Sequence, residues 1–534
     1  MKKEGLKINY SFVFLLVSMV LLLLLFPSIK NNFLAQKSDN LKQFQNLKDI
    51  VHLPSLSNNS IYSYDPNFKL TYSSDGGDHY YAFDTLRPEQ IYFHNLYHYG
   101  LSQRSLPVEN NLPKLPAVLI KGKQADQSIF IEESVQLFAI EKSHAVPVLN
   151  IIGSEQGLFS EGNGIMVMGI DSWFESGFYK PFWEKNANYT RRGQSSKRKV
   201  TFQWIKAGEV VYENACDFQI SGNATRGFPQ KSFKLKVNRA IGENIFKYKF
   251  FGKKGLKKYE SLVIRSGGND NTKTLFADAL MHELAKNTHL LVQKSKACVV
   301  YINGNYWGIY NLRERIDPFF IAAYENSKPE LISILEGAYG EVKSGKKKKQ
   351  AEFSKLVESH HSYDKINDKI DIASFVDYIL METYYGNGDW LHNNAIWYQV
   401  GEGQWKWLLN DLDYGLTYTG TNNVNKNYFD AVLNSNTINA KLFKQLIEEK
   451  TFVALLNARG LELMETNFSD ENIEKVFYKK MNGIYAEIPV HIKRWRGILN
   501  LDKWTENANN NLTFLLKRKE IFLSQLNLLN DSVL

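Results

Sequence analysis

The chain reads as an α+β protein, and two observations carry that reading. Short apolar runs broken by Pro, Gly, Asn and Asp fill the section from Ile61 to Val237, as strands do. From about residue 273 onward, apolar residues recur at helical spacing. A third observation adds an N-terminal membrane span: Ile8 to Ile29 contains no charged residue and includes the run Leu21 to Leu25. The expected order is a short cytoplasmic end with a transmembrane anchor (1–29), a linker (30–60), a small β-sandwich (61–146), a main domain (147–430) and a helical C-terminal section (431–534).

The anchor follows from length. At ~1.5 Å rise per residue, the uncharged segment spans a ~30 Å hydrocarbon core. Lys2, Lys3 and Lys7 precede it, which keeps the short end cytoplasmic and places the body on the extracytoplasmic side. A cleaved signal peptide is the competing reading, although the apolar stretch exceeds the usual ~7–15 residues. Residues 30–60, rich in Asn, Ser, Lys and Gln, read as a tether.

With 534 residues, 44% of them apolar, the chain has ample material for a large core in more than one domain. A formal net charge of +9 suits an anionic partner without identifying one; a solvated, Lys-rich surface is the plainer reading. The run Lys346 to Lys349 reads as a flexible loop and not as a nucleic-acid site. Cys216 and Cys298, the only cysteines, cannot make a Cys-rich zinc site, and a disulfide between them stays open.

The elements follow in order. Val118 to Ile120, Ile129 to Ile131 and Val135 to Ile140 are the strands of the expected sandwich. Val148 to Ile152 follows Pro147, which stands at the strand entry where a missing N–H does least harm. Gly164 to Gly169 and Arg198 to Trp204 continue the strand-rich section, and Lys206-Ala207-Gly208-Glu209 turns the latter into a hairpin. Asp217 to Gly222 pairs with Ser232 to Val237. Phe276, Leu280 and Leu284 mark a helix, Val299 to Leu312 a hairpin about Asn303-Gly304, and Ile372 to Leu380 a helix capped by Asp371.

The chemistry gathers in Gly386 to Gly415, GNGDWLHNNAIWYQVGEGQWKWLLNDLDYG. A helix delivers the chain to Asp389. Asn394 follows five positions later, then a strand–turn–strand, then Asp411-Leu412-Asp413-Tyr414-Gly415. A polar hairpin with Asp and Asn in its turns is the plain alternative. The order resembles the catalytic core of protein kinases, where an Asp accepts the substrate proton, an Asn five positions on holds metal, and a hairpin leads to a metal-binding Asp loop. His392 reads equally as a base or a loop-orienting donor. Trp390, Trp397, Trp405 and Trp407 read as core before a sugar platform, so a carbohydrate-binding module draws only on aromatics.

Further segments match in order: Pro147 to Asn150, Gly157 to Phe159, Gly164 to Gly169, Ile220 to Arg226, Pro229 to Lys236, Leu262 to Gly267, Tyr301 to Tyr310, Asn387 to Asp389 and Asp411 to Asp413. Together they resemble the spore-coat protein H (CotH) kinase family. The resemblance implies an atypical protein-kinase-like fold over 147–430, completed by the helical 431–534. It implies transfer of phosphate from ATP, with Mg²⁺, to Ser or Thr of an exported protein. Asp389 is then the catalytic residue, with Asp411, Asp413 and Asn394 as metal ligands; both aspartates fit as the leading one. On the nucleotide side stand Arg226, Lys231, Lys234 and Lys236, with Glu283 as a helical partner for one of the lysines. For these lysines a solvated strand face is the alternative, and for Glu283 simple exposure. A non-catalytic surface or assembly protein that keeps the fold is the second functional reading.

Overall fold

The computed structural model describes residues 143–169, 186–359 and 361–533 continuously, with shorter stretches between 51 and 137 and residues 172 and 184. Strands β1 (Val51–His52) and β2 (Ser63–Tyr64) form a small antiparallel pair. Strands β3 (Phe68–Ser73), β4 (Tyr81–Ala82), β5 (Ala117–Gln124) and β6 (Phe130–Leu137) form one antiparallel sheet in the order β4-β3-β5-β6. This corrects the β-sandwich expected over 61–146: the described residues there make these two sheets, and β5 pairs directly with β6 in one of them. Alternation marks a strand, but does not say which layer it joins.

The centre of the molecule is a closed seven-stranded barrel, which corrects the fold expected from sequence. It comprises β7 (Val148–Gly153), β8 (Arg198–Lys206), β9 (Glu209–Ser221), β10 (Ser232–Val237), β11 (Ser261–Arg265), β12 (Ser295–Ile302) and β13 (Asn305–Glu314), in the order β10-β11-β13-β12-β7-β8-β9. Every pair is antiparallel except β7 with β12, which run parallel with Val299 opposite Val148. That pairing joins segments far apart in the chain and leaves no local trace, so the fold is mixed α/β in a way that no hairpin signal reveals. The interior is apolar by simple alternation: Phe233 and Leu235 point in from β10, Leu262 and Ile264 from β11, Tyr310 and Leu312 from β13. Lys234 and Arg265 therefore stand on the outer face, with Arg313 beside them on β13.

Gly164 to Gly169, expected within a run of strands, forms turns whose Ile165 to Met168 are buried. The Lys346 to Lys349 run is not wholly a loop: the helix Lys348–Glu358 begins inside it, and the buried Lys349 Nζ meets Glu402 at 2.8 Å. Cys216 and Cys298 are buried and free.

Beyond the barrel, β14 (Ile332–Glu336), β15 (Glu341–Ser344), β16 (Ile396–Val400) and β17 (Trp405–Leu408) form a second sheet, ordered β15-β14-β16-β17. The helix Ile372–Tyr385 packs against it, capped at its start by Asp371, whose carboxylate accepts from Ser374 N. It stops at Gly386, at φ +61°, a left-handed C-cap that suits glycine. Helices from Tyr428 to Val533 complete this half. Among the described residues no helix is long and apolar enough to cross a membrane. The expected anchor within 1–29 lies outside the described residues, so the fold they show contains no transmembrane helix.

Candidate active site

Three segments converge on the outer face of the barrel. The first is the end of β11 with the loop Arg265 to Asn269. The second is the helix Ala277–Leu284. The third is the loop Asn410 to Gly415 that follows β17. Arg265 is the hub. Its Nη2 bonds both Asp411 and Asp413, and its Nε lies 3.9 Å from Asp278. Burial opposes a charge on Arg265, and Asp411, Asp413 and Asp278 overcome that opposition, raising it well above its ordinary range.

The two aspartates differ. Asp413 is buried and bonded at both oxygens: besides Arg265, it accepts from Asn269 N at 3.0 Å and Asn269 Nδ2 at 2.9 Å. Burial and the Asp411 carboxylate push it up, and Arg265 pulls the other way. Asp411 has a side chain 37% exposed and sits at φ +55°. Gly268 explains how Asp413 gets so close. At φ +61°, a Cβ there would lie 1.9 Å from Asp413 Oδ2, so only glycine fits.

Asp278 ties the segments together. It accepts from Arg313 on β13 and, at 2.9 Å, from Leu412 N between the two aspartates. Burial pushes its carboxyl up, but Arg313 and Arg265 outweigh burial and hold it below the usual range. The helical acid facing this site is thus Asp278 and not Glu283. Glu283 lies on the other side of that helix, paired with Lys286, Lys479 and Lys480, and with none of the barrel lysines.

Asp389 stands in the loop after the helix Ile372–Tyr385, partly exposed. It accepts from Asn393 Nδ2 at 2.5 Å and from Asn394 Nδ2 at 3.0 Å. Its own N–H bonds Asn387 Oδ1 at 3.2 Å, and Asn387 Nδ2 bonds Glu382 at 3.0 Å. Gly388 N reaches Tyr414 O at 3.4 Å, which stitches this loop to the Asp411–Asp413 loop. The Tyr418 hydroxyl is raised by burial, by Tyr414, and then by both Asp413 and Asp389, so both acids act on one spot. Lys273 Nζ lies there too, 4.6 Å from the Tyr418 ring centroid. His392 is exposed, and the four tryptophans of the stretch are buried, which removes the aromatic platform.

The remaining cations sit elsewhere. Arg226 is buried and donates to the carbonyls of Gly222, Tyr189 and Arg191. Lys231 donates to Phe228 O and lies 4.2 Å over the Tyr189 ring. Both hold the turn between residues 189 and 228. Lys236 faces Glu260 at 3.9 Å. Lys234 is half-buried, and no ion pair to it is seen among the described residues. None of the four pairs with Asp411 or Asp413; the cation that does is Arg265, which sequence reasoning placed in the matching pattern without a role.

Glu382 was not anticipated at all. It is wholly buried under the Asp389 loop, and among the described residues its Oε1 has no partner. Burial, with Asp278 and Asp411, pushes its carboxyl up to about 8. A group that binds its proton more tightly when folded gives stability below the unfolded value of 4.5 that is lost as pH rises toward about 8. Glu382→Gln should therefore remove that slope: urea unfolding should show the variant gaining on the wild type between about pH 5 and 8. Equal slopes would mean that Glu382 ionises normally.

The donor set fits a hard cation. Asp411, Asp413 and Asn394 Oδ1 offer oxygen, and Arg265 already holds positive charge between the two carboxylates. Among the described residues no group of three His, Cys, Asp or Glu is arranged around a metal. Mg²⁺ does not need one, since one or two carboxylates plus phosphate and water oxygens suffice.

No curated protein matches the chain. A family model described as CotH kinase protein matches residues 218–522, from the last residues of β9 into the last long helix, and takes in Arg265, Asp278, Asp389, Asp411 and Asp413. Matched over more than half its length, the chain belongs to the CotH kinase protein family.

Proposed function

We propose that the chain is an atypical protein kinase that moves a phosphoryl group from ATP to Ser or Thr of an exported protein. The observation that carries this reading is the meeting of Asp389, held by two asparagine amides, with the Asp411–Asp413 pair across the Gly388–Tyr414 contact. Asp389 receives the proton of the acceptor hydroxyl at Oδ, oriented by Asn393 and Asn394. Asp411, Asp413 and Asn394 would hold Mg²⁺, which when bound neutralises phosphate charge. Arg265 bonds both carboxylates and so holds them close together. Lys234 is the cation left to meet phosphate oxygens, since Lys273 Nζ already donates to the carbonyls of Thr417 and Tyr418. The body outside the cytoplasm belongs to the same reading.

The test is transfer of label from ATP to a generic acceptor protein, with Mg²⁺ and with a chelator. Label that needs Mg²⁺ supports the reading. No label, together with no Mg²⁺-dependent nucleotide binding, would overturn it. One feature favours a second reading, a non-catalytic assembly protein: Arg265 already bridges the acidic pair with a positive charge where a metal would stand.

A further inference from the structure

The loop between β10 and β11 carries Lys247, Lys249, Lys253, Lys254, Lys257 and Lys258, with no acidic residue from Asn244 to Lys258. All six are exposed. The loop is nonetheless fixed: Phe246, Phe250 and Tyr259 are buried in the barrel core, and Phe246 and Tyr259 exchange backbone hydrogen bonds of 2.9 and 3.0 Å. The lysines are thus held as a cationic surface of defined shape. At the foot of the loop lies a groove of about 520 Å³, whose charged lining is Lys197, Lys199, Lys236 and Arg239 with Asp217 and Glu260. Two residues along β10 from Lys236 stands Lys234, on the same outer face as Arg265 and Arg313. Burial, then Arg315, Lys236, Lys197 and Arg226, push Lys234 down to about 8. Like charges placed so closely repel one another unless an anion joins them.

We propose that this lysine loop and groove form the docking surface for an acidic segment of the acceptor protein, which leads the acceptor along β10 toward Asp389. The proposal rests on the kinase reading and names the class of its substrate. A peptide fits better than a nucleic acid for two reasons. Asp217 sits 3.2 Å from Lys197, and Glu260 3.9 Å from Lys236, so acids interrupt the groove. Separate carboxylates can bypass such interruptions; a continuous phosphate backbone meets them at every step. The groove lining contains no aromatic residue on which a base could stack, and Tyr248 in the loop is packed against Tyr212 and Phe250.

The test is fluorescence anisotropy with the full chain and three labelled probes: a Glu/Asp-rich peptide, a Lys-rich peptide and a single-stranded oligonucleotide. The acidic peptide should bind, and more weakly as salt rises. The combined variant Lys253→Glu, Lys254→Glu, Lys257→Glu, Lys258→Glu should lose about tenfold or more in affinity. These four side chains are exposed, and an unchanged unfolding curve would show that the barrel is intact. Equal binding by variant and wild type, or preference for the Lys-rich peptide, would overturn the proposal. Tighter binding of the oligonucleotide would overturn it in favour of nucleic acid. The assay contains no ATP, so a failed kinase reading leaves its outcome untouched. Conversely, if docking fails, Mg²⁺-dependent labelling of a generic acceptor still stands.

Discussion

Asp389→Asn should cut phosphoryl transfer by about 10²–10⁴-fold in kcat while nucleotide affinity stays close to that of the wild type. The change removes the proton acceptor and little else. Asp389 is partly exposed, so no buried charge is orphaned, and its loop is still held by Asn387 and by Gly388 N on Tyr414 O. The new amide meets two amide donors, Asn393 Nδ2 and Asn394 Nδ2, and its own NH₂ cannot accept from either. One of those contacts is therefore lost. If Asn394 turns away as a result, Mg²⁺ affinity falls along with kcat. Parallel measurement of kcat, KM and Mg²⁺ dependence separates the two effects. An unchanged kcat would remove Asp389 from the chemistry.

Asp278→Ala should destabilise the protein by about 3–5 kcal/mol, the usual cost of breaking a buried ion pair from one side. Arg313, almost wholly buried, would lose the carboxylate it is bonded to, since its Nη1 bond runs to Asp278 and among the described residues its Nε and Nη2 have no partner. Leu412 N would lose its acceptor, and the Asp411–Asp413 loop its tie to the helix Ala277–Leu284. Urea unfolding would show the loss in ΔG. Glu283→Ala, five residues along the same helix, is the control: two of its three lysine partners, Lys286 and Lys479, reach the surface, so a smaller loss is expected. Similar losses for the two variants would mean that helix packing, and not the ion network, sets the cost. Because Asp278 also ties down the Asp411–Asp413 loop, the proposed Mg²⁺-dependent nucleotide binding should weaken in Asp278→Ala even where the protein is still folded.

The acids of the site were readable because they are local. Asp389, Asn394, Asp411 and Asp413 lie within one short stretch, on either side of a hairpin whose strands alternate plainly. The ion network behind them was not, because Arg265, Asp278 and Arg313 come from three separate elements and meet only through tertiary packing. A faint signal existed in Gly267-Gly268, both at positive φ, since paired glycines mark a place where another chain segment comes close. The lysines chosen from the alternating strand β10 were correctly placed on its outer face, but among the described residues neither pairs with Asp411 or Asp413, and Lys236 faces Glu260 instead. Hairpins were legible as hairpins, down to the turn at Asn303-Gly304. Closure of the barrel was not, since the β7–β12 match depends on two strands that carry no mark of each other.

That closure also bears on how fast the molecule can form. As the chain emerges, β7 can pair with β8 at once, but its other edge has no partner until Ile302 has been made. Until then the young sheet is open, with an unsatisfied edge able to pair with a neighbouring chain. A second wait follows. His144, just before β7, lies buried against Glu487 at 2.9 Å, and Ala145 N bonds the same carboxylate at 2.8 Å. The entrance to the first barrel strand is thus locked by a residue more than three hundred positions later. Contacts of such long range slow folding, because the loop must close before any of them forms. The expected kinetic signature is a slow final phase in refolding, during which the barrel is assembled but its first strand is not yet latched.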